Sequence, residues 1–372
     1  MSGVDPSAAV AKQTKLAAEI FDELYNKTFD GVGVTRASYG EGEQVASELL
    51  ESHAKKLGLV IDHDAAGNIY MTMRGESQEA PPIVIGSHID SVAQGGNFDG
   101  AAGVISGLIA CAGIIEKGIR LPQDIRVMGI RAEESAWFGV SYIGSRSALG
   151  TLPKDALDNA KRSDTGITLG EHMFKAGCNP DALRAGDIYL PPSSLKAYLE
   201  VHIEQGPVLD SKDLPLGIVT GIRGNRRLPS AQCIGEYSHC GGVPRSYRKD
   251  AVLAVTDLVN YLDRIWDDCE NEGKDFAFTI GKFFTDKEWH AMTKISGAVE
   301  FSLDMRSLDG DFIESMTKRV YEEAVKIEQK RGVQFNLGDF TRAAPGPMDE
   351  QIKTRMLSGA DSLGIPYMEI PS

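Results

Sequence analysis

The feature that most constrains the fold is an alternation of short, β-branched apolar runs with a helical segment in the first half of the chain. PPIVIGSH (81–88) and DIRVMGIRAEE (124–134) are such runs, and DGAAGVISGLIACAGIIEKG (99–118) lies between them. Short apolar runs are typical of strands buried on both faces, and their alternation with helices favours parallel pairing. A helix beginning near Gly139 and a strand over 195–206 continue the pattern. We therefore predict an α/β fold whose sheet has a mostly parallel core.

The segments that precede this alternation are also regular. KLAAEIFDELYNKTF (15–29) and GEQVASELLESHAKKLG (42–58) place apolar residues at i, i+3 and i+4, which predicts two amphipathic helices. LVIDHD and NIYMTMRG then predict a pair of strands.

The pattern changes from about residue 219. The segments GNRRLPSAQCIGEYS and DFAFTIGKFFT are predicted strands that flank a long helix at 248–270. A half-buried strand is predicted at 297–307, and an amphipathic helix at 311–332 is closed by Gly332. This order of strands and helices predicts an α+β sandwich.

The length of 372 residues is about twice that of a ~150-residue domain, which fits two domains. We predict a catalytic domain in two segments, 1–218 and 336–372, with the sandwich of 219–335 inserted as a lid and dimerisation domain. The second catalytic segment contains one helix, at about 349–363.

Charge and composition exclude several classes of partner. Lys and Arg total 39 against 53 Asp and Glu, a net charge of −14, whereas nucleic acid and anionic membranes require a basic face. No apolar run approaches the ~18 residues of a membrane span, and the first 15 residues lack the apolar stretch of a signal peptide. Five cysteines at irregular spacings argue against a disulfide scaffold, so we expect a cytoplasmic protein.

Candidate metal ligands stand at the carboxyl ends of the predicted strands, where α/β sheets bind their ligands. GSHIDSVAQGGNFDG places His88 and Asp99 around a Gly-Gly turn, within reach of one divalent cation. Asp90 is placed to orient the His88 ring. The alternative for this stretch alone is a turn with solvated aspartates.

The next two strand ends add further candidates. RAEESAW places Glu133 and Glu134 in tandem, so that one carboxylate can ligate a metal while the other acts as a base on the attacking water. HIEQGPVLD adds His202 as a candidate ligand and Gln205 as a candidate for binding the substrate. Each motif alone is compatible with surface charge or a structural histidine, but no packing requirement explains all of them at three strand ends. Mixed nitrogen and oxygen ligands favour zinc, manganese or similar ions, with nickel and cobalt as alternatives.

Together with GEYSHCGGVPRSYRKDA and FSLDMRS, these motifs give the chain a recognisable order. Over roughly residues 15–370 it resembles the amidohydrolase branch of the dinuclear metallopeptidase and aminoacylase clan. Within that branch it is most similar to N-carbamoyl-L-amino acid hydrolases, allantoate amidohydrolase and β-ureidopropionase.

The resemblance implies roles for individual residues. His88, Asp99 and His202 would bind one of two divalent cations, and Asp99 would bridge to a second cation bound by Glu134 and one further histidine. Glu133 would be the general base. His239 would reach the site of the partner subunit in a homodimer, and the substrate carboxylate would be bound by Arg227 and Arg306. The alternative for the two arginines is a charge on the strand surface, with Arg306 paired with Asp304.

The sequence also departs from the family pattern. Thr293 stands where the family has an asparagine that contacts the substrate, and Ser135 and Trp137 replace the usual Gly and Arg. The family's further histidine follows a segment like MEIPS, at which this chain ends, so we expect a truncated sequence. The histidines at 53, 63 and 172 are expected at the surface.

The leading functional hypothesis is a metal-dependent hydrolase of a linear C–N amide, most simply the N-carbamoyl group of a small carboxylate. A dipeptidase or N-deacylase of the same clan is one alternative. An inactive metal-binding or dimerisation protein is the other, because the fifth ligand is absent from the sequence.

Overall fold

The structure, a computed structural model, describes residues 7–372. The chain divides into two compact units, Met1–Gln205 and Gly206–Ser372. Residues 1–6, with which the predicted first domain begins, lie outside the described residues. The predicted three-segment division of the chain stays a prediction. Within residues 7–372, no helix is both long and apolar enough to cross a membrane.

The first unit combines one sheet with helices along its length. Its helices are α1 Ser7–Ala11, α2 Thr14–Thr28, α3 Glu41–Lys56, α4 Ala101–Glu116, α5 Ser135–Phe138, α6 Ile143–Ala148, α7 Ala156–Asn159, α8 Leu169–Lys175 and α9 Pro180–Arg184, with a 3₁₀ turn at Pro192–Ser194. Its strands are β1 Val60–His63, β2 Ile69–Met73, β3 Ile83–His88, β4 Ile125–Ile130 and β5 Ala197–Leu199.

The sheet of the first unit has the strand order β1-β2-β4-β3-β5. The pairs β4–β3 and β3–β5 are parallel, and β1 and β2 add an antiparallel edge. The prediction of an α/β fold is therefore confirmed.

Both faces of this sheet are covered, as its apolar strands require. On β2, Ile69 and Met71 join one cluster with α2, α3 and α4, whereas Tyr70 belongs to a separate cluster. On β4, Val127 and Met128 divide between the same two clusters. Because successive side chains of a strand point to opposite faces, this division explains why the strands are apolar throughout and show no alternation.

Two predicted elements of this unit are shorter than expected. The strand predicted over 195–206 is confined to β5, so His202 lies three residues beyond its end. The helix expected near Gly139 is replaced by α5 and α6, because Gly139 is left-handed and ends the first of them. Glycine adopts that conformation without strain, which favours a helix stop.

The second unit contains helices α10 Val208–Ser211, α11 Ala251–Asn271, α12 Gly310–Arg331 and α13 Glu350–Leu363, with a 3₁₀ turn at Arg245–Tyr247. Its strands are β6 Leu216–Val219, β7 Gly221–Ile222, β8 Gly224–Ile234, β9 Ser238–His239, β10 Ala277–Thr279, β11 Phe283–Thr285, β12 Lys294–Ile295, β13 Ala298–Ser307, β14 Gln334–Asn336, β15 Thr341–Ala343, β16 Gly346–Pro347 and β17 Tyr367–Ile370.

An antiparallel sheet centred on β8 and β13 forms the core of the second unit. The order is β10-β13-β8-β14, with β11 also on β13 and β15 also on β8. Residues of α11 and α12 form one apolar cluster with β8 and β13. On β13 the cluster takes alternate residues, Phe301, Leu303 and Met305 among them, as predicted for a half-buried strand.

The two C-terminal strands pair with the first strands of this unit. Strand β17 is parallel to β6, and β16 is antiparallel to β7.

The core of the second unit provides a test of where its stability resides. Phe283 and Phe301 face each other across the β11–β13 pair, but Phe301 is fully buried and Phe283 is 40% exposed. We expect Phe301→Ala to lower the free energy of unfolding by about 3–5 kcal/mol, because it leaves a cavity. The matched Phe283→Ala change should cost less than ~1 kcal/mol. Urea unfolding followed by circular dichroism measures both, and equal losses would contradict this view of the core.

Candidate functional site

Three side chains from three separate segments of the first unit converge at the carboxyl edge of its sheet. His88 is the last residue of β3, Asp99 precedes α4, and His202 follows β5. Ligand atoms of these three residues lie within 4.8 Å of one another. The Nε2 atoms of the two histidines are 3.3 Å apart, and Asp99 Oδ1 lies 3.5 Å from His88 Nε2 and 3.3 Å from His202 Nε2.

The hydrogen bonds of the histidines direct their Nε2 lone pairs toward one another. His88 Nδ1 lies 3.0 Å from the Asp90 carbonyl, and His202 Nδ1 lies 2.9 Å from the Ile203 carbonyl. A carbonyl only accepts, so each Nδ1 carries the proton and the neutral rings have free Nε2 lone pairs. Asp99 Oδ1, which is buried and has no hydrogen-bond donor, is aimed at the same point. Three converging acceptors require positive charge between them, and a divalent cation fits this donor set.

The pKa values of these groups also indicate that positive charge is favoured between them. Burial lowers the pKa of His88, but its contacts with Asp90 and Asp99 outweigh burial and raise the pKa to about 11. Asp99 likewise raises the pKa of His202. In turn His202 and His88 hold the pKa of Asp99 well below its usual range. Protons and a cation would therefore compete for this position.

Glu133 and Glu134 form a second group with His88. One atom from each of these three residues lies within 4.8 Å of the other two. Burial raises the pKa of Glu133 to about 7, with Glu134 and Asp90 adding to the rise against the opposing effect of His88. Burial also raises the pKa of Glu134. A carboxylate with a pKa near neutrality is suited to take up and release a proton.

Further contacts hold the residues of this candidate metal site in place. Asp90 is fully buried and accepts hydrogen bonds from the Glu133 and Glu134 backbone N–H groups. Gln205, expected at the substrate, donates its Nε2 to Asp99 Oδ2 at 3.0 Å.

Arg36 is a residue of this site that the sequence reasoning missed. It is fully buried, and it donates to the backbone carbonyls of Ile89 (2.7 Å) and Asp99 (3.1 Å). Its guanidinium thus connects the residue that follows His88 to the backbone of Asp99. A single arginine in a loop gives no sequence signal of such a role.

The remaining predicted residues belong to the second unit. Arg227 on β8 and Arg306 on β13 share one face of the sheet, and both contact Oδ2 of Asp304, at 3.1 and 3.0 Å. The side chains of Arg227 and Arg306 are 42% and 50% exposed. The pairing of Arg306 with Asp304 was the alternative to substrate binding, and it now includes Arg227.

His239 and Thr293 lie near each other in the second unit. Nδ1 of His239 accepts hydrogen bonds from the N–H groups of Gly241 and Gly242, both at 3.1 Å. The neutral ring therefore carries its proton on Nε2. The Thr293 carbonyl accepts from the N–H of Cys240, the residue after His239.

Two of the three histidines expected at the surface are buried. His53 is 5% exposed and pairs with Glu23, and His172 is 8% exposed and lies 2.9 Å from the Thr165 hydroxyl. Amphipathic imidazoles can be buried with a single polar partner, which sequence alone does not reveal.

A mixed sheet with histidine and carboxylate ligands at its carboxyl edge defines the class of metallopeptidase-like hydrolases. Residues 68–167 match Peptidase family M28. An N-carbamoyl-L-amino acid amidohydrolase of Geobacillus stearothermophilus is 34% identical over 344 residues, 91% of this chain and 80% of the relative. Allantoate amidohydrolase of Bacillus subtilis is 28% identical over 349 residues, 94% of this chain and 82% of the relative.

Solved structures agree with these relatives. An amidase of the hydantoinase/carbamoylase family from Burkholderia multivorans superposes with a TM-score of 0.87 at 27% identity, over 96% of this chain and 84% of that chain. The chain belongs to this hydantoinase/carbamoylase family of amidohydrolases and is an enzyme of amide hydrolysis.

The metal hypothesis makes a direct prediction for His202, whose side chain is 33% exposed and lies outside the apolar core. We expect His202→Asn to lower the affinity of the tightest divalent cation site by at least roughly 10–100-fold. Replacing a residue that only supports a metal ligand already has an effect of that size, and His202 is itself a predicted ligand. Metal content after dialysis and the rise in Tm on adding Zn²⁺ or Mn²⁺ measure this. The control is His63→Asn, a 46% exposed histidine on β1. Equal metal content in both variants would contradict the assignment.

Proposed function

We propose that this amidohydrolase hydrolyses the linear C–N amide of an N-carbamoyl or ureido group on a small carboxylate, such as an N-carbamoyl-L-amino acid or allantoate. The observation that carries the proposal is the convergence of His88, Asp99 and His202 around one point, with Glu133 and Glu134 beside it. The substrates named for the curated relatives support the choice of substrate class.

The residues present fit two divalent cations. His88, Asp99 and His202 would hold the first, and Asp99 with Glu134 would contribute to the second. Zinc or manganese suits this mixture of imidazole and carboxylate, with nickel or cobalt as alternatives. When bound, such ions polarise a carbonyl and lower the pKa of a water from 15.7 toward ~7.

The protein groups perform the proton transfers. Glu133, with its pKa near 7, would accept the proton of the attacking water and deliver it to the departing nitrogen. Gln205 would keep Asp99 turned toward the imidazoles. Asp90 would fix the His88 ring and the backbone beneath Glu133.

Arg227 and Arg306 would bind the substrate carboxylate. Asp304 occupies Nε of both arginines and one terminal nitrogen of Arg306, which leaves other terminal N–H groups available on the exposed side chains. Guanidinium groups bind carboxylates through paired N–H donors, so the arrangement suits a small anion. Thr293 would offer a hydroxyl near this anion.

His239 would serve the site of a partner subunit in a homodimer formed through residues 219–335. Its outward Nε2–H is a hydrogen-bond donor suited to stabilising a developing oxyanion. Residues 1–218 and 336–372 would form the catalytic domain, a division supported by the pairing of β17 with β6. Five unpaired cysteines fit a cytoplasmic location.

A dipeptidase is the second candidate, because the match to Peptidase family M28 covers the segment that carries Glu133 and Glu134. The metal centre alone does not distinguish a peptide bond from a ureido group, since both are amides.

A substrate panel tests the reaction and the role of Glu133 together. We expect the metal-loaded protein to release ammonia from N-carbamoyl-L-amino acids or allantoate and to leave dipeptides intact. Glu133→Gln should keep its metal while kcat falls by roughly 10²–10⁴, the usual contribution of a general acid–base group. Ammonia release and metal content are the measurements. Cleavage of dipeptides alone would favour the second candidate, and loss of metal from Glu133→Gln would assign Glu133 as a ligand.

The carboxylate hypothesis is tested at Arg306. Arg306→Lys keeps the charge but loses the planar fork, so KM for a carboxylate substrate should rise strongly, by about tenfold for each 1.4 kcal/mol of lost binding. The same substitution should leave KM for an amidated analogue nearly unchanged. Steady-state kinetics on the two substrates measure the difference. Equal effects on both would mean that Arg306 supports the fold through Asp304.

A further inference from the structure

Residues 131–134 form the turn that carries Glu133 and Glu134, and side chains from three other segments hold it. Its four N–H groups donate as follows: Arg131 to Asn68 Oδ1 (2.9 Å), Ala132 to Glu43 Oε1 (2.8 Å), Glu133 to Asp90 Oδ1 (3.0 Å) and Glu134 to Asp90 Oδ2 (3.1 Å). Its first three carbonyls accept from the N–H groups of Gly144, Ile143 and Tyr142. The backbone of this turn is therefore fixed from residue to residue.

Ala132 has a left-handed backbone at the centre of this turn. Its φ is 52°, and its side chain is fully buried. A residue with a Cβ atom adopts this region only at a cost of roughly 1–2 kcal/mol, so the surrounding contacts must enforce it. The direction in which Glu133 and Glu134 leave the sheet depends on that backbone conformation.

Glu43 provides the contact at Ala132. It lies on α3 and is fully buried. One oxygen, Oε1, accepts from the Ala132 N–H, whereas Oε2 accepts from the Tyr39 N–H (2.7 Å) and from Nε of Arg131 (2.8 Å). The ion pair with Arg131, at 2.7 Å, compensates the buried charge. Both oxygens thus act only as acceptors.

We propose that Glu43 is a positioning residue, which holds Ala132 in the left-handed conformation and so directs Glu133 and Glu134 toward His88. The proposal rests on the proposed roles of Glu133 and Glu134. In this proposal a carboxylate on α3 sets the orientation of Glu133 and Glu134, the two groups that would face the substrate and the metal.

The substitution Glu43→Gln tests this role. It also removes the charge that pairs with Arg131, so a control that loses a buried charge elsewhere is needed. A glutamine has one acceptor oxygen and one NH₂ group, and every neighbour described above is a donor. Its oxygen is best placed toward Arg131 and Tyr39, which together supply most of the donors. The NH₂ group then faces the Ala132 N–H, so the contact that enforces the left-handed backbone is the one lost.

A matched control is available on the same sheet. Asp124 is 3% exposed and accepts from Arg74 Nη1 (2.7 Å) and from the Gly75 N–H (2.8 Å). It precedes β4, at the end of the strand opposite to the turn. Asp124→Asn therefore removes the same kind of buried charge without touching residues 131–134.

The experiment compares the full chain with Glu43→Gln, Asp124→Asn, Ala132→Gly and the double variant Glu43→Gln/Ala132→Gly. Amide hydrogen exchange of residues 131–135 is measured with and without Zn²⁺, and kcat and KM are measured by ammonia release from an N-carbamoyl amino acid. In Glu43→Gln the amides of Glu133 and Glu134 should exchange at least tenfold faster, and kcat should fall by up to roughly 10²-fold, as small misplacements do, with little change in KM. Asp124→Asn should change neither.

The double variant tests the left-handed backbone itself. Glycine adopts that region without a steric cost, so Ala132→Gly should restore roughly five- to thirtyfold of the kcat lost in Glu43→Gln. Ala132→Gly alone should stay within about threefold of the natural chain, because Glu43 still holds the turn. A role in overall stability would give no such rescue.

The outcomes separate this proposal from the proposed function. If the natural chain hydrolyses no N-carbamoyl substrate, the proposed function fails, but the exchange measurement still decides the role of Glu43. Unchanged exchange at Glu133 and Glu134 in Glu43→Gln would overturn the proposal. It would also be overturned if Glu43→Gln and Asp124→Asn lowered kcat equally, or if glycine at residue 132 restored nothing.

Discussion

The parallel pairing of β3 with β4 is the constraint on which the rest of the site depends. It places His88 beside Ile130, so that Glu133 and Glu134 follow at the same edge of the sheet only a few residues later. The pairing is stabilised by apolar side chains on both faces, among them Val84 and Val127, which are fully buried. Burial of this kind contributes about 1.5–3 kcal/mol per large side chain, and it holds the strand ends in register. The polar residues at those ends are therefore positioned by the apolar residues that precede them.

Concentrating carboxylates at that edge has an electrostatic cost. Asp90, Asp99, Glu133 and Glu134 lie around one buried imidazole, and like charges at such distances raise one another's pKa. The structure offsets this cost in two ways. Backbone N–H groups and Arg36 supply fixed positive dipoles and charge from within the fold, and the converging lone pairs of His88 and His202 leave a place for a cation.

The second unit carries a charged cluster at its surface. Arg227, Asp304 and Arg306 lie on the face of the sheet that is not packed against α11 and α12, and their side chains remain partly exposed. One aspartate between two arginines leaves a net charge of +1 on this cluster, against the −14 of the whole chain. The cluster therefore attracts anions, which fits the proposed binding of a substrate carboxylate.

Most of the framework could be predicted from the sequence, because it depends on local periodicity. The helices at Thr14–Thr28, Glu41–Lys56 and Ala101–Glu116 begin and end within about two residues of their predicted bounds, and so do β3 and β13. Strands that are apolar throughout identified the parallel part of the sheet, and alternation identified β13. The predictions were wrong where no period exists, as in the short helices after Gly139 and in the segment after β5.

The candidate ligands were also visible in the sequence, since His88, Asp99, Glu133, Glu134 and His202 stand at the ends of recognisable elements. The tertiary structure decided what surrounds them. Arg36, Glu43 and Asn68 are polar residues in loops or on a helix that otherwise resembles any amphipathic helix, and nothing in the sequence indicates that they are fully buried. Each of them contacts a backbone group more than 50 residues away in the sequence, and every residue type carries such groups, so the sequence does not reveal these contacts. The sequence by itself therefore determined which residues can bind metal and transfer protons, whereas the angles at which they are held exist only once the chain has folded.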